Sequence, residues 1–148
     1  MQVAIKVKRL HAAAQLPRYA HMGEFGDLAA DLYAATGVTL AAAGEVGSTQ
    51  AVATGICLEF PSTHGALVED RSGLAARGVT TLAGVIDPGY RGEIKVVMAN
   101  LGGTPVEIKA GDRIAQLRIV QRIEAVFEEV EELGEAARGA GGFGSTGV

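Results

Sequence analysis

Arg71, Ser72 and Gly73 stand in a row, followed by Leu74 and Ala75. At the start of a helical turn this run offers a guanidinium, a hydroxyl and free backbone N–H groups, a combination that suits phosphate oxygens. A surface turn explains the same run equally well. Further along, Asp87 sits between Ile86 and Pro88 where an apolar run meets Pro88-Gly89. A carboxylate at a rigid strand end can hold and deprotonate a water, although an Asp before Pro and Gly more commonly starts a turn. Tyr90 lies on the return of that turn, as core packing or as a pocket wall. The last segment, Arg138-Gly139-Ala140-Gly141-Gly142-Phe143-Gly144-Ser145-Thr146-Gly147, adds an arginine and a hydroxyl pair among glycines. Glycine lets backbone N–H groups approach an anion closely. Phe143 has no core to join there, which leaves stacking on a planar ligand or a stray ring in a disordered tail.

Two more polar runs flank these. Ala29-Ala30-Asp31-Leu32-Tyr33-Ala34-Ala35 carries one acid, and Gly111-Asp112-Arg113-Ile114-Ala115-Gln116-Leu117 carries an amide, Gln116, among apolar neighbours. Asp112 after Gly111 is most simply a turn residue. Other chemistries lack their residues. His11, His21 and His64 stand apart with no ligand spacing, which removes a zinc or histidine hydrolase, and His64 reads as a loop histidine. The single cysteine, Cys57, gives neither a disulfide nor a metal site and reads as a buried strand thiol.

Short strands must hold these groups in place. The chain has 148 residues, of which 21 are glycine and 25 alanine, with no tryptophan. That glycine share is roughly twice the usual one. The glycines have no three-residue period, so the chain is not collagen-like. Its 48% apolar content is too high for a disordered chain. No apolar run reaches the ~18 residues of a membrane span, and charge interrupts Met1 to Lys8, so no signal peptide is read there. A net charge of −4 argues against non-specific nucleic-acid binding. A single cytoplasmic domain is expected, with no nucleic-acid or membrane partner.

Strands are expected at Val3–Val7, Gly37–Leu40, Gln50–Leu58, Thr80–Ile86, Glu93–Met98, Val106–Lys109 and within Ile114–Val126. Asp87-Pro88-Gly89 joins Thr80–Ile86 to Glu93–Met98 as a hairpin. Ser72–Ala76 suits one helical turn, and Ala29–Ala35 is too short and too acidic for a full helix. Glycine turns between short strands indicate an all-β sandwich or barrel. Residues 138–148 form a glycine-rich tail expected to be mobile when nothing is bound.

The five polar segments, in this order, resemble the five motifs of the trimeric deoxyuridine triphosphatase (dUTPase) family. Arg-Ser-Gly-Leu-Ala, Gly-Val-Ile-Asp with Tyr-Arg-Gly, Gly-Asp-Arg-Ile-Ala-Gln-Leu and Gly-Gly-Phe-Gly-Ser-Thr-Gly carry the resemblance, which spans Ala29 to Gly147. It implies a β-rich jelly roll over residues 1–137 that assembles as a homotrimer. The arm of one chain, residues 138–148, would close a site made by the others. It also implies hydrolysis of dUTP to dUMP and pyrophosphate with Mg²⁺, which limits uracil in DNA and supplies dUMP for dTMP synthesis.

Residue by residue, the resemblance makes Asp87 the base that activates the water attacking the α-phosphorus, and Tyr90 the wall under the deoxyribose. Arg71, Ser72, Gly73 and Gln116 become phosphate ligands. Arg138, Gly144, Ser145 and Thr146 become arm contacts to the phosphates, and Phe143 the ring over uracil. Asp31 would support the metal's water shell indirectly, the Mg²⁺ being held mainly by the triphosphate.

The sequence departs from the family pattern in two places. The stretch from Arg71 to Asp87 is short and carries Val79-Thr80-Thr81-Leu82-Ala83 where some members have an asparagine. Uracil is then read through the hairpin backbone, with Val85 at its edge. The run His21 to Leu28 is longer than usual. A dCTP deaminase shares the fold, but its proton-shuttling glutamate would fall at Val97, which transfers no proton. A non-catalytic regulatory protein on the same scaffold would lack Asp87 or the tail, and both are present.

Overall fold

The computed structural model describes residues 1–147, and Val148, the last residue of the expected arm, lies outside them. Ten strands and one helical turn follow in order: β1 (Lys6–Arg9), β2 (Ala30–Tyr33), β3 (Val38–Leu40), β4 (Thr49–Glu59), β5 (His64–Glu69), α1 (Ser72–Ala75), β6 (Val79–Leu82), β7 (Val85–Ile86), β8 (Glu93–Asn100), β9 (Val106–Ile108) and β10 (Arg113–Gln121). All pairings are antiparallel. One sheet runs β1-β4-β8-β6, a second β2-β10-β5-β7, and β3 pairs with β9 alone.

Alternation makes these strands. Along β8, Ile94, Val96 and Met98 point inward and Lys95 outward, as a period of two demands. Leu32 on β2, Ile56 on β4, Ile108 on β9 and Ile114 on β10 join them in one core shared by all three sheets. Each such side chain contributes about 1.5–3 kcal/mol on leaving water. The core therefore fixes which face each strand turns to solvent, and with it where the polar residues between the inward ones must point.

Five expectations change. The run Thr80–Ile86 is not one strand returning to β8. β6 pairs with β8, Leu82 opposite Val97, while β7 crosses to the second sheet and pairs with β5, Ile86 opposite Ala66. The crossing turns at Ala83 and Gly84, whose φ values are +62° and +118°. The strand expected within Ile114–Val126 ends short of Val126, at Gln121, although Arg122 N still donates to the Thr63 carbonyl at 2.7 Å. His64 opens β5 opposite Gln121 instead of lying in a loop. Cys57 is half-buried, because its place on β4 alternates outward between Ile56 and Leu58. The first strand is Lys6–Arg9, later than Val3–Val7, because pairing with β4 begins at Lys6 opposite Glu59. Ala29–Ala35 is a strand around Asp31, and the one-turn helix forms at Ser72–Ala75 as expected.

Candidate active site

The second sheet gathers one set of chemical groups. Gln116 on β10 lies opposite Asp31 on β2 and opposite Glu69 on β5. Asp70 and Arg71 leave the end of β5 and lead into α1. The Arg71 Nε stands 3.2 Å from Asp31 Oδ1, and Arg113 Nη1 stands 3.8 Å from Asp31 Oδ2. The two side chains of the closer pair are only 29% and 14% exposed, so water screens it weakly. Arg71 Nη1 also donates to the Arg113 carbonyl at 3.4 Å. The guanidinium of Arg71 is thereby held at the head of a turn whose start no side chain caps. Ser72 and Gly73 are exposed beside it.

Gln116 Nε2 donates to the Asp70 carbonyl at 2.7 Å, locking the end of β5 to β10. The Asp70 carboxylate accepts from Thr80 Oγ1 at 2.7 Å, from Thr81 N at 2.6 Å and from Thr81 Oγ1 at 2.8 Å. Burial pushes its pKa up, but these three hydrogen bonds outweigh that and hold it below the usual carboxylate value. Asp70 thus ties the Arg71 turn to β6. Arg118 grips Glu69 through both carboxylate oxygens, which lowers the Glu69 pKa and raises that of Arg118. These side chains border a depression of about 620 Å³ that also takes in Leu28 from the longer loop.

A second set lies elsewhere on the same chain. The turn Asp87–Tyr90 follows β7 and is closed by Tyr90 N donating to the Asp87 carbonyl at 3.1 Å. Arg91 Nη1 braces it through the Pro88 carbonyl at 2.7 Å. Val85, Ile86, Asp87, Tyr90, Glu93 and Lys95 line a small pocket of about 180 Å³. The Asp87 carboxylate is exposed at its rim. Ile86 pairs with Ala66, three residues along β5 from Glu69, so the two sets are on the order of 10 Å apart along that strand alone. Among the described residues no hydrogen bond or ion pair joins Asp87 or Tyr90 to Asp31, Arg71 or Gln116.

The tail forms a third set, with no hydrogen bond to either among the described residues. Arg138 Nε donates to the Gly141 carbonyl at 2.7 Å, and Ser145 N to that of Gly142 at 3.0 Å. Phe143 is fully exposed, with φ at +51°, and Gly144, Ser145 and Thr146 are exposed after it. Residues 122–147 contain neither strand nor helix.

Sequence reasoning therefore named residues that fall into three places on one chain. It missed Asp70, Arg113, Glu93 and Lys95. Arg113 stood inside a recognised motif and Asp70 directly before one, but only the fold shows that one faces Asp31 and the other holds Thr80 and Thr81. Among the described residues no three His, Cys, Asp or Glu side chains converge as a metal cage. The Asp31 carboxylate offers oxygen donors of the kind a hard cation takes.

Comparison with known proteins shows the family. The dUTPase family model matches residues 19–147. The chain is 50% identical over 150 residues to the deoxyuridine 5'-triphosphate nucleotidohydrolase of Thermobifida fusca, covering 98% of this chain and 79% of that one. It is 47% identical over 149 residues to the enzyme of the same name from Solibacter usitatus, covering 99% and 97%. Among solved structures it is similar to the Staphylococcus bacteriophage 80alpha dUTPase with dUPNHPP, at a TM-score of 0.83 and 25% identity over 98% of this chain and 99% of that one. With a family model over residues 19–147 and near-full-length relatives at up to half identity, the chain belongs to the dUTPase family, and the reaction it catalyses is the hydrolysis of dUTP.

Proposed function

We propose that the active site is composite, with the phosphate-binding groups of one chain facing the nucleoside pocket of another in a homotrimer. The observation that carries this reading is the separation, within one chain, of the Asp31–Arg71–Gln116 set from the Asp87–Tyr90 pocket. Neither set alone can span a nucleoside and its triphosphate, and a closed ring of identical subunits brings them together three times over. Ile123, Val126, Phe127 and Leu133 support it. They follow β10 with side chains almost wholly exposed, as apolar surface that a second copy would cover.

In this site Arg71, Ser72, Gly73 and Gln116 bind the triphosphate, and Asp31 holds Arg71 in place. Arg71 and Arg113 supply positive charge locally on a chain of net charge −4. Mg²⁺, when bound with the nucleotide, supplies charge neutralisation on the phosphate oxygens. The deoxyribose packs on Tyr90, where a 2′-hydroxyl would clash. Uracil is read by the backbone around Ala83 to Val85, where the non-glycine φ of +62° at Ala83 marks a locally strained chain.

The Asp87 carboxylate takes a proton from water. The oxygen so activated bonds to the α-phosphorus, the bond from that phosphorus to the bridging oxygen breaks, and pyrophosphate leaves. Arg138, Phe143, Gly144, Ser145 and Thr146 of the arm close over the bound nucleotide and exclude bulk water. Val97, where a deaminase would need a glutamate, is an aliphatic on β8 between Ala51 and Leu82.

The test is pyrophosphate release with Mg²⁺ from dUTP, dCTP, dTTP and UTP in turn. Strong preference for dUTP, lost in Asp87→Asn, supports these roles. Retained activity in that variant removes Asp87 as the base, and equal turnover of UTP removes Tyr90 as the wall.

A further inference from the structure

We infer that Glu93 is a positioning residue for sugar discrimination, because it fixes Tyr90 through the bulge in β4. This rests on the reading of Tyr90 as the deoxyribose wall. Tyr90 Oη donates to the Glu93 carbonyl at 2.8 Å. A Cβ at Gly92 would sit 2.5 Å from Tyr90 Oη and 2.7 Å from Cζ, so the ring lies directly over the one residue that leaves it room. The ring thus lies close over Gly92 with its hydroxyl tied to the first residue of β8, even though it is otherwise exposed.

The start of β8 is itself held by β4. Between the pairs Ala53–Lys95 and Cys57–Glu93, β4 advances four residues while β8 advances two. The extra length bulges at Gly55, whose φ is +73° and whose Cβ position is filled by the His11 ring and Ala14. The bulge turns the Gly55 N–H toward the Glu93 side chain, and Glu93 Oε2 accepts it at 3.0 Å. On the same stretch the buried Thr54 hydroxyl donates to the Ile94 carbonyl. A carboxylate on a backbone N–H makes a stronger hydrogen bond than a neutral acceptor does. Glu93 therefore joins the two halves of the device. Its side chain anchors to the bulge, and its carbonyl anchors the tyrosine. A steric wall discriminates a hydroxyl only while it cannot retreat, so anchoring the wall sets the specificity.

The experiment compares kcat/KM for dUTP with that for UTP, with thermal unfolding as a check on folding. In Glu93→Ala the dUTP/UTP ratio falls on the order of tenfold, mainly because UTP improves. Glu93→Gln keeps an oxygen for the Gly55 N–H and restores the ratio to near that of the parent. Gly92→Ala displaces the ring by its added Cβ and lowers the ratio without changing Glu93. It serves as the independent variant if Glu93→Ala does not fold. Unchanged ratios in both Glu93→Ala and Gly92→Ala, with a collapsed ratio in Tyr90→Ala, overturn the role of Glu93 and leave the wall standing. An unchanged ratio in Tyr90→Ala overturns the wall itself, and the inference with it.

Discussion

Asp31 holds Arg71 by a side-chain ion pair of 3.2 Å in which both partners are largely withdrawn from water. The acid comes from β2 and the base from the turn after β5, two strands that are both neighbours of β10. The pair thus fixes a phosphate-binding guanidinium to the sheet. Replacing Asp31 with Asn removes the charge and leaves Arg71 free to swing. A positioning loss of that kind costs roughly a hundredfold in rate, and the partly buried guanidinium left without its partner costs about 1–3 kcal/mol of stability. Steady-state pyrophosphate release and urea unfolding measure the two effects. Unaltered kcat/KM would show that Arg71 needs no such anchor.

Asp70 gives the fold an acid-sensitive joint. Its folded pKa lies below the ordinary value of 3.8, because the hydrogen bonds from Thr80 and Thr81 overcome the upward push of burial. A depressed folded pKa gives stability that is present above the unfolded value and lost as pH falls through the folded one. Asp70→Asn is therefore less stable than the parent at pH 7, and the gap narrows below about pH 4. Denaturant midpoints across pH 2.5 to 7 test this. A gap that widens in acid has the wrong sign.

Alternation and glycine turns made the all-β architecture legible, since β4 and β8 carry inward residues at every second position, Val52 to Leu58 and Ile94 to Met98. The five motifs made the chemistry legible. Local reasoning could not divide Thr80–Ile86 between two sheets. Its apolar run is continuous, and only the left-handed backbone at Ala83 and Gly84 separates β6 from β7. Asp70 was hidden for a related reason. A carboxylate beside an arginine reads as part of a surface turn, and its partners Thr80 and Thr81 lie ten and eleven residues away on another strand. Glu93 stood only at the start of an expected hairpin strand, and nothing local shows that the Gly55 bulge places an N–H against it.

Ala83 stands at a φ of +62° without being a glycine. An L-residue in this region costs about 1–2 kcal/mol, whereas glycine there gives up about 0.5–1 kcal/mol to the freer unfolded chain. Ala83→Gly is expected to leave stability unchanged or raise it by about 1 kcal/mol, and the β-branched Ala83→Val to lower it by a similar amount or more. Thermal or urea unfolding of the two variants gives the comparison. Strong destabilisation by glycine would mean that the strain at this turn is not local to Ala83.

The described arm residues make no hydrogen bond to the strands of their own chain, so removing 139–148 is expected to leave the fold intact. The truncated protein should unfold at the temperature of the parent and retain little dUTP turnover, because closure over the nucleotide is lost. Circular dichroism melting beside pyrophosphate release measures both. An unaffected rate contradicts the role of Phe143 and Ser145.

Subunit mixing addresses the composite site most directly. Asp87→Asn and Arg71→Ala chains, each inactive alone, are unfolded, mixed in equal amounts and refolded together, and pyrophosphate release from dUTP is measured. If Asp87 and Arg71 of different chains serve one site, random cyclic trimers regain about a quarter of the parent activity, since one neighbouring pair in four joins two intact halves. If both residues of a site came from the same chain, the mixture would be no more active than the average of the two variants, and the composite site would be wrong.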